Sequence, residues 1–177
     1  CFPKDVKALI QSGEEKEQPF SLIQSVEKIN QDQKEWFLKK ILNHFNNDVK
    51  GKTFAIWGLS FKPHTDDIRE APSLHIISRL VSLGASIRAY DPVASENTAA
   101  ALEQFKSSIT YCSENYEALE GSDALLLLTE WPLFRGPEFA RMKALLKSPV
   151  IFDGRNQYNP EHLKAMGFQY QCVGRLK

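Results

Sequence analysis

The sequence predicts an α/β fold, a doubly wound and mostly parallel sheet of about six strands, preceded by a helical segment with one long helix. Three observations carry that expectation. Short apolar runs recur six times after Lys52, at Thr53–Trp57, Ser86–Tyr90, Ile109–Tyr111, Ala124–Thr129, Val150–Phe152 and Phe168–Val173. Helical stretches lie between most of them, and strands alternating with helices favour parallel pairing. The run "ALLLLT" has no polar alternation, the pattern of a central strand covered on both faces.

Taken in order, "PKDVKALIQ" predicts a short helix with Pro3 in its first turn, where a missing N–H costs nothing. "SGEEKEQPF" reads as a polar loop. From Ser21 to Asn46 the apolar positions Leu22, Val26, Ile29, Trp36, Ile41 and Phe45 recur at helical spacing without Gly or Pro, with Gln33 the one polar interruption. Such a helix would be ~39 Å long at 1.5 Å per residue. Two helices cannot bury their apolar faces alone, so this region must pack on another domain or another subunit. After the turn "NNDVKGK" come the strands, with helices expected at Ser73–Leu83, Ser95–Phe105, Asn115–Leu119, Glu138–Leu146 and Pro160–Met166. Gly84 and Gly167 close the first and last of these, as C-terminal stops. The expected division is residues 1–47, a helical dimerisation segment, and residues 48–177, a ligand-binding domain.

Composition narrows the function classes. Twenty-two basic and twenty-two acidic residues balance, which gives no support for nucleic-acid or anionic-membrane binding. The longest apolar run is far short of the ~20 residues a membrane-spanning helix needs. Cys1, Cys112 and Cys172 are an odd, widely spaced set, so no disulfide scaffold is expected, and the four histidines stand at no metal-ligand spacing. These observations predict a reduced, cytoplasmic setting and no metal.

Ligands of an open parallel sheet bind beyond the carboxyl ends of its strands. The first strand ends in "WGLSFKPHTDDIREAPS", which has Gly58 but no Gly-x-Gly-x-x-Gly cradle. It offers Phe61, Lys62 and Arg69 instead, among Asp66, Asp67 and Glu70; the alternative is a solvated charged loop. In "YDP", Asp91 stands where such folds often hold a ribose, yet with Pro92 following it fits a turn-former. In "VIFDGRNQY", Arg155 could grip a phosphate bidentately or pair with Asp153. In "TEWPLF", Trp131 fits packing and binding equally.

The chain begins "CFPKDVKALI". A thiol just before a helix start, with Lys4 nearby, has its pKa lowered by the positive helix end. Asp5 lies one turn further along. A thiolate beside a carboxylate suits covalent catalysis on a carbonyl followed by water activation. An inert cysteine is the alternative.

Together, "CFPKDVKAL", "WGLSFKPHTDDIREAPS", "YDP" and "FDGRN" resemble, in order and separation, the C-terminal half of the UDP-glucose/GDP-mannose dehydrogenase family, in its UDP-glucose branch. The resemblance covers essentially the whole chain and implies a Rossmann-like fold. It implies NAD-dependent two-step oxidation of UDP-glucose to UDP-glucuronate through a cysteine thiohemiacetal and thioester. By the same resemblance Cys1 is the nucleophile, Asp5 helps activate water, and Lys4 and Arg69 contact NAD. Phe61, Lys62 and Arg155 then bind substrate, and the long helix joins a homodimer or higher oligomer. The family's glycine fingerprint, and its lysine and asparagine at the oxyanion, do not occur here, so NAD is expected to bind mainly outside this chain and the chain alone to be inactive. GDP-mannose oxidation, or a non-catalytic nucleotide-sugar-binding module, are the competing expectations.

Overall fold

The structure, a computed structural model, describes residues 2–175, and of Phe2 only the backbone. The expected nucleophile Cys1 lies outside the described residues. The chain forms two compact units, residues 1–39 and residues 40–177.

In the first unit, α1 (Phe2–Glu15) is followed by most of α2 (Ser21–His44). The expected loop from Ser12 is therefore helical up to Glu15. Gly13 explains the difference. It is buried, and its carbonyl accepts from Lys16 and Gln18 as the chain reverses. A Cβ there would meet Gln18 O at 2.7 Å and the Phe20 ring at 2.8 Å. The residue therefore permits a close return of the chain instead of breaking the helix. Lys7 and Glu27 pair across the two helices at 3.9 Å.

The second unit contains a six-stranded, all-parallel sheet: β1 (Thr53–Trp57), β2 (Ser86–Tyr90), β3 (Ile109–Tyr111), β4 (Ala124–Leu127), β5 (Val150–Asp153) and β6 (Gln169–Cys172). The expected parallel, doubly wound architecture is observed, in the order β3-β2-β1-β4-β5-β6. The order in which strands are added reverses between β1 and β4, which opens a crevice at their carboxyl ends. Burial follows position. All four residues of both β4 and β5 are buried, whereas β2 alternates and the edge strand β6 buries only Cys172.

The connecting helices are α3 (Pro72–Ser82), α4 (Ser95–Ala101), α5 (Asn115–Leu119), α6 (Phe139–Leu145) and α7 (Pro160–Ala165). The helix expected to Phe105 ends at Ala101; a 3-10 segment, Glu103–Ser108, completes the connection. Pro72 and Pro160 open their helices in the first turn, and Asn159 caps α7 by accepting from Glu161 N and His162 N. One sheet face presents Ala55, Trp57, Leu125, Leu127 and Ile151 to a core shared with Leu119, Phe134, Met142 and Leu163. On the other face the last turn of α2 packs edge-on: His44 against Phe152, and Phe45, just beyond it, against Phe54. Lys40 adds a hydrogen bond to the Cys172 carbonyl. No helix among the described residues is long and apolar enough to cross a membrane.

Candidate functional site

Four loops meet at the carboxyl edge of the sheet, following β1, β2, β4 and β5. Two buried aspartates hold them. Asp91, at the end of β2, accepts through Oδ2 from Leu59 N (2.7 Å), Ser60 N (3.1 Å), Ser60 Oγ (3.2 Å) and the Trp131 indole (3.1 Å). Its Oδ1 accepts from Val93 N and Ala94 N, both at 3.0 Å. The turn-former reading of Asp91 is therefore the one the geometry fits. Trp131, 6% exposed, is a packing residue that ties the β4 loop to β2. Asp153, fully buried, takes the same role at the end of β5. It accepts from the backbone of Arg155, Gln157 and Tyr158 and from the Tyr170 hydroxyl. Burial and the Asp153 charge push the Tyr158 and Tyr170 phenols upward in pKa, so both stay protonated donors.

The turn that Asp153 shapes aims the Arg155 side chain across the crevice. Arg155 Nε donates to Leu128 O (2.8 Å) and lies 3.1 Å from Glu130 Oε2. Arg155 Nη2 reaches Phe61 O at 3.4 Å. Arg155 therefore does not form the side-chain pair with Asp153 that the sequence left open. Asp153 takes its backbone N–H, and Glu130 is its counter-ion. The guanidinium thus touches the loops after both β1 and β4, and it is half-buried.

The β1 loop is closed by Phe61 N donating to Asp67 O (2.8 Å). Arg69 forms a bidentate pair with Asp67, Nε to Oδ1 at 2.9 Å and Nη2 to Oδ2 at 2.7 Å. Hydrogen bonds from the Arg69 side chain and backbone hold the Asp67 carboxyl down from 3.8 to about 2. Phe61 is half-buried and Lys62 is exposed on the same loop. In the first unit, Lys4 and Asp5 are both exposed and lie 3.8 Å apart. The structure therefore brings Arg155 to Phe61, keeps Lys62 and Arg69 on that loop, and sets Lys4 beside Asp5. Among the described residues no group of three or more His, Cys, Asp or Glu could hold a metal ion.

Residues 55–160 match the model of the UDP-glucose/GDP-mannose dehydrogenase family, UDP binding domain. The chain belongs to this family. A UDP-glucose 6-dehydrogenase of Pseudomonas aeruginosa is 42% identical over 177 residues, 99% of this chain and 39% of the relative. One from Bacillus subtilis is 45% identical over 175 residues, again 99% of this chain and 39% of the relative. Among solved structures, a UDP-glucose dehydrogenase from Pyrobaculum islandicum superposes with a TM-score of 0.80 at 27% identity, over 97% of this chain and 36% of that one. The chain spans about two fifths of the length of the curated relatives it matches.

The family implies NAD, and the strand order is that of dinucleotide-binding folds, yet the turn after β1 does not fit one. This turn has Gly58 alone in place of a glycine-rich cradle. A Cβ on Gly58 would lie 2.4 Å from Thr129 Cβ and 2.6 Å from Thr129 N, so the β4 loop packs directly against it. Asp91, with six donors around it, has no lone pair left for a ribose hydroxyl. What the sequence did not reveal is Glu130. Its only signal was position, one residue past the end of a strand's buried run in "TEW".

Proposed function

We propose that the unit from Lys40 onward binds the UDP moiety of UDP-glucose at the carboxyl edge of its sheet, as part of an NAD-dependent UDP-glucose 6-dehydrogenase. The observation that carries this is the Arg155 guanidinium. Its Nε and one Nη2 hydrogen face protein oxygens, which leaves the end-on Nη1/Nη2 pair for a planar, bidentate grip on phosphate. Phe61 supplies an apolar surface beside it and Lys62 a second, exposed cation on the same loop.

In this reading C6 loses one hydride to each of two NAD. The first loss turns the C6 alcohol into an aldehyde, the Cys1 thiolate adds to that carbonyl as a thiohemiacetal, and the second loss leaves a thioester. Asp5 then assists the water that releases UDP-glucuronate. Lys4 and Arg69 serve the NAD side. NAD itself is held mainly outside this sheet, in keeping with the missing glycine cradle after β1 and the fully engaged Asp91 carboxylate. Homodimers or higher oligomers form through α2. The free, buried Cys112 and Cys172 suit a reducing, cytoplasmic setting.

Calorimetric titration of this chain with UDP, with GDP as control, tests the assignment. Saturable UDP binding with little response to GDP is expected. A preference for GDP would move the assignment to the mannose branch, and silence with both would remove the binding reading for this chain.

A further inference from the structure

We propose that Glu130 is a positioning residue for Arg155, fixing the plane of its guanidinium so that the end-on pair of Nη hydrogens is presented to a diphosphate. The inference rests on the UDP-binding reading. It deepens that reading by naming a side chain that never touches the ligand.

Arginine presents five N–H donors in a rigid fork, and what a phosphate meets depends on which edge of the fork is free. Two neighbours select that edge here. Leu128 O lies 2.8 Å from Arg155 Nε and accepts its hydrogen. Glu130 Oε2 lies 3.1 Å from the same nitrogen, yet that buried oxygen has no aligned hydrogen-bond donor among the described residues. Its hold on Arg155 is therefore a charge contact at short range and low exposure. The third neighbour, Phe61 O, sits at 3.4 Å from Nη2 and contributes less. Without Glu130, one carbonyl and one long contact would hold a four-torsion side chain that is about a third exposed (29%). Arg155 would then sample several rotamers, and the diphosphate would have to select one.

The alternative sign is equally physical. A carboxylate 3.1 Å from the phosphate-binding group adds negative charge where the ligand brings more. If repulsion outweighed positioning, removing Glu130 would tighten binding. Orientation and charge separate in two substitutions. Glu130→Gln keeps the shape and an acceptor oxygen but loses the charge. Glu130→Ala loses all three.

The test is a set of UDP titrations of the full chain and of Glu130→Ala, Glu130→Gln, Arg155→Ala and the Glu130→Ala/Arg155→Ala double variant, with uridine as the phosphate-free control. Positioning predicts that Glu130→Ala weakens UDP about tenfold, the scale of ordering one long side chain on binding. Uridine affinity should not move, and Glu130→Gln, which keeps the shape but not the charge that makes the contact, should lose most of what Glu130→Ala loses. In the double variant Glu130→Ala should add nothing to Arg155→Ala, because the group it positions is gone. Tighter UDP binding by Glu130→Ala, equal losses for UDP and uridine, or additive losses in the double variant would each overturn the proposal. The Arg155 Nε–H resonance, assigned by its absence in Arg155→Ala, gives a readout without ligand. It should exchange faster in both Glu130→Ala and Glu130→Gln, since both remove the charge that holds the guanidinium. If that pattern holds while the unaltered chain ignores UDP, the binding reading falls and the diphosphate half of this proposal falls with it. If the chain binds UDP and neither affinity nor exchange responds to Glu130→Ala, only the positioning role is lost.

Discussion

Asp91 gathers its six hydrogen bonds from the loops after β1, β2 and β4, so its carboxylate is a staple under the crevice. Asparagine at this position would turn one acceptor oxygen into a donor facing buried donors. Asp91→Asn should therefore cost about 3 kcal/mol, read as a lower urea midpoint at unchanged slope. A loss under about 1 kcal/mol would show that the loops close without the charge. Asp67 is different in kind, because its partner Arg69 is exposed. Its carboxyl is depressed from 3.8 to about 2, so the stabilisation it gives is fully present above about pH 4 and disappears as pH falls toward 2. In carboxyl NMR titrations Asp67 should titrate near the bottom of that window and move part of the way back toward the ordinary range in Arg69→Ala, which keeps the backbone hydrogen bond; an unchanged midpoint would place the cause elsewhere. At this scale the sequence was legible in residue type and not in partner. "YDP" and "FDGR" announced turns, but whether Arg155 faces Asp153 or Glu130 depends on the β4–β5 register, and no local pattern encodes it.

The strands were legible as elements because apolar runs between turn residues have few other uses, and their burial follows the sheet order. Their pairing partners were not. Gly58 shows the consequence. Alone in its turn, it showed only that the dinucleotide cradle was missing. In the fold it lies at φ +91° with the Thr129 backbone against its α-carbon, so it allows the close approach of the β1 and β4 loops. That contact spans about seventy residues of sequence and exists only once β1 and β4 are neighbours. Gly58→Ala should suffer both the positive-φ cost and a clash with backbone, together about 3 kcal/mol or more. Gly121→Ala, at φ +67° with nothing within 4 Å of the added carbon, should lose only the conformational part, about 1 kcal/mol. Paired urea titrations decide it: equal losses would mean that Thr129 moves aside without cost.

At the scale of the whole molecule the two units carry different surfaces. The crevice, with Phe61, Lys62, Arg69 and Arg155, belongs to the unit from Lys40, whereas Leu22, Ile29 and Trp36 belong to the first. These three recur every seven residues along α2 and are 77%, 58% and 38% exposed, and Leu9 and Phe20 of the same unit add 45% and 41%. A seven-residue spacing keeps side chains on one stripe of a helix, the arrangement that a second helix covers best. Singly exposed apolar residues need no explanation, but a repeating stripe on a long helix does. Sedimentation velocity across a concentration series should therefore show self-association. Leu22→Glu combined with Ile29→Glu should abolish it at little cost to folding, since both positions already face water in the chain alone. The same double variant should leave UDP titrations unchanged, because neither residue lies in the unit that carries the crevice. A monomer at every concentration would sink the helix-mediated oligomer. Loss of UDP binding in the dissociated variant would show instead that the crevice is completed by association.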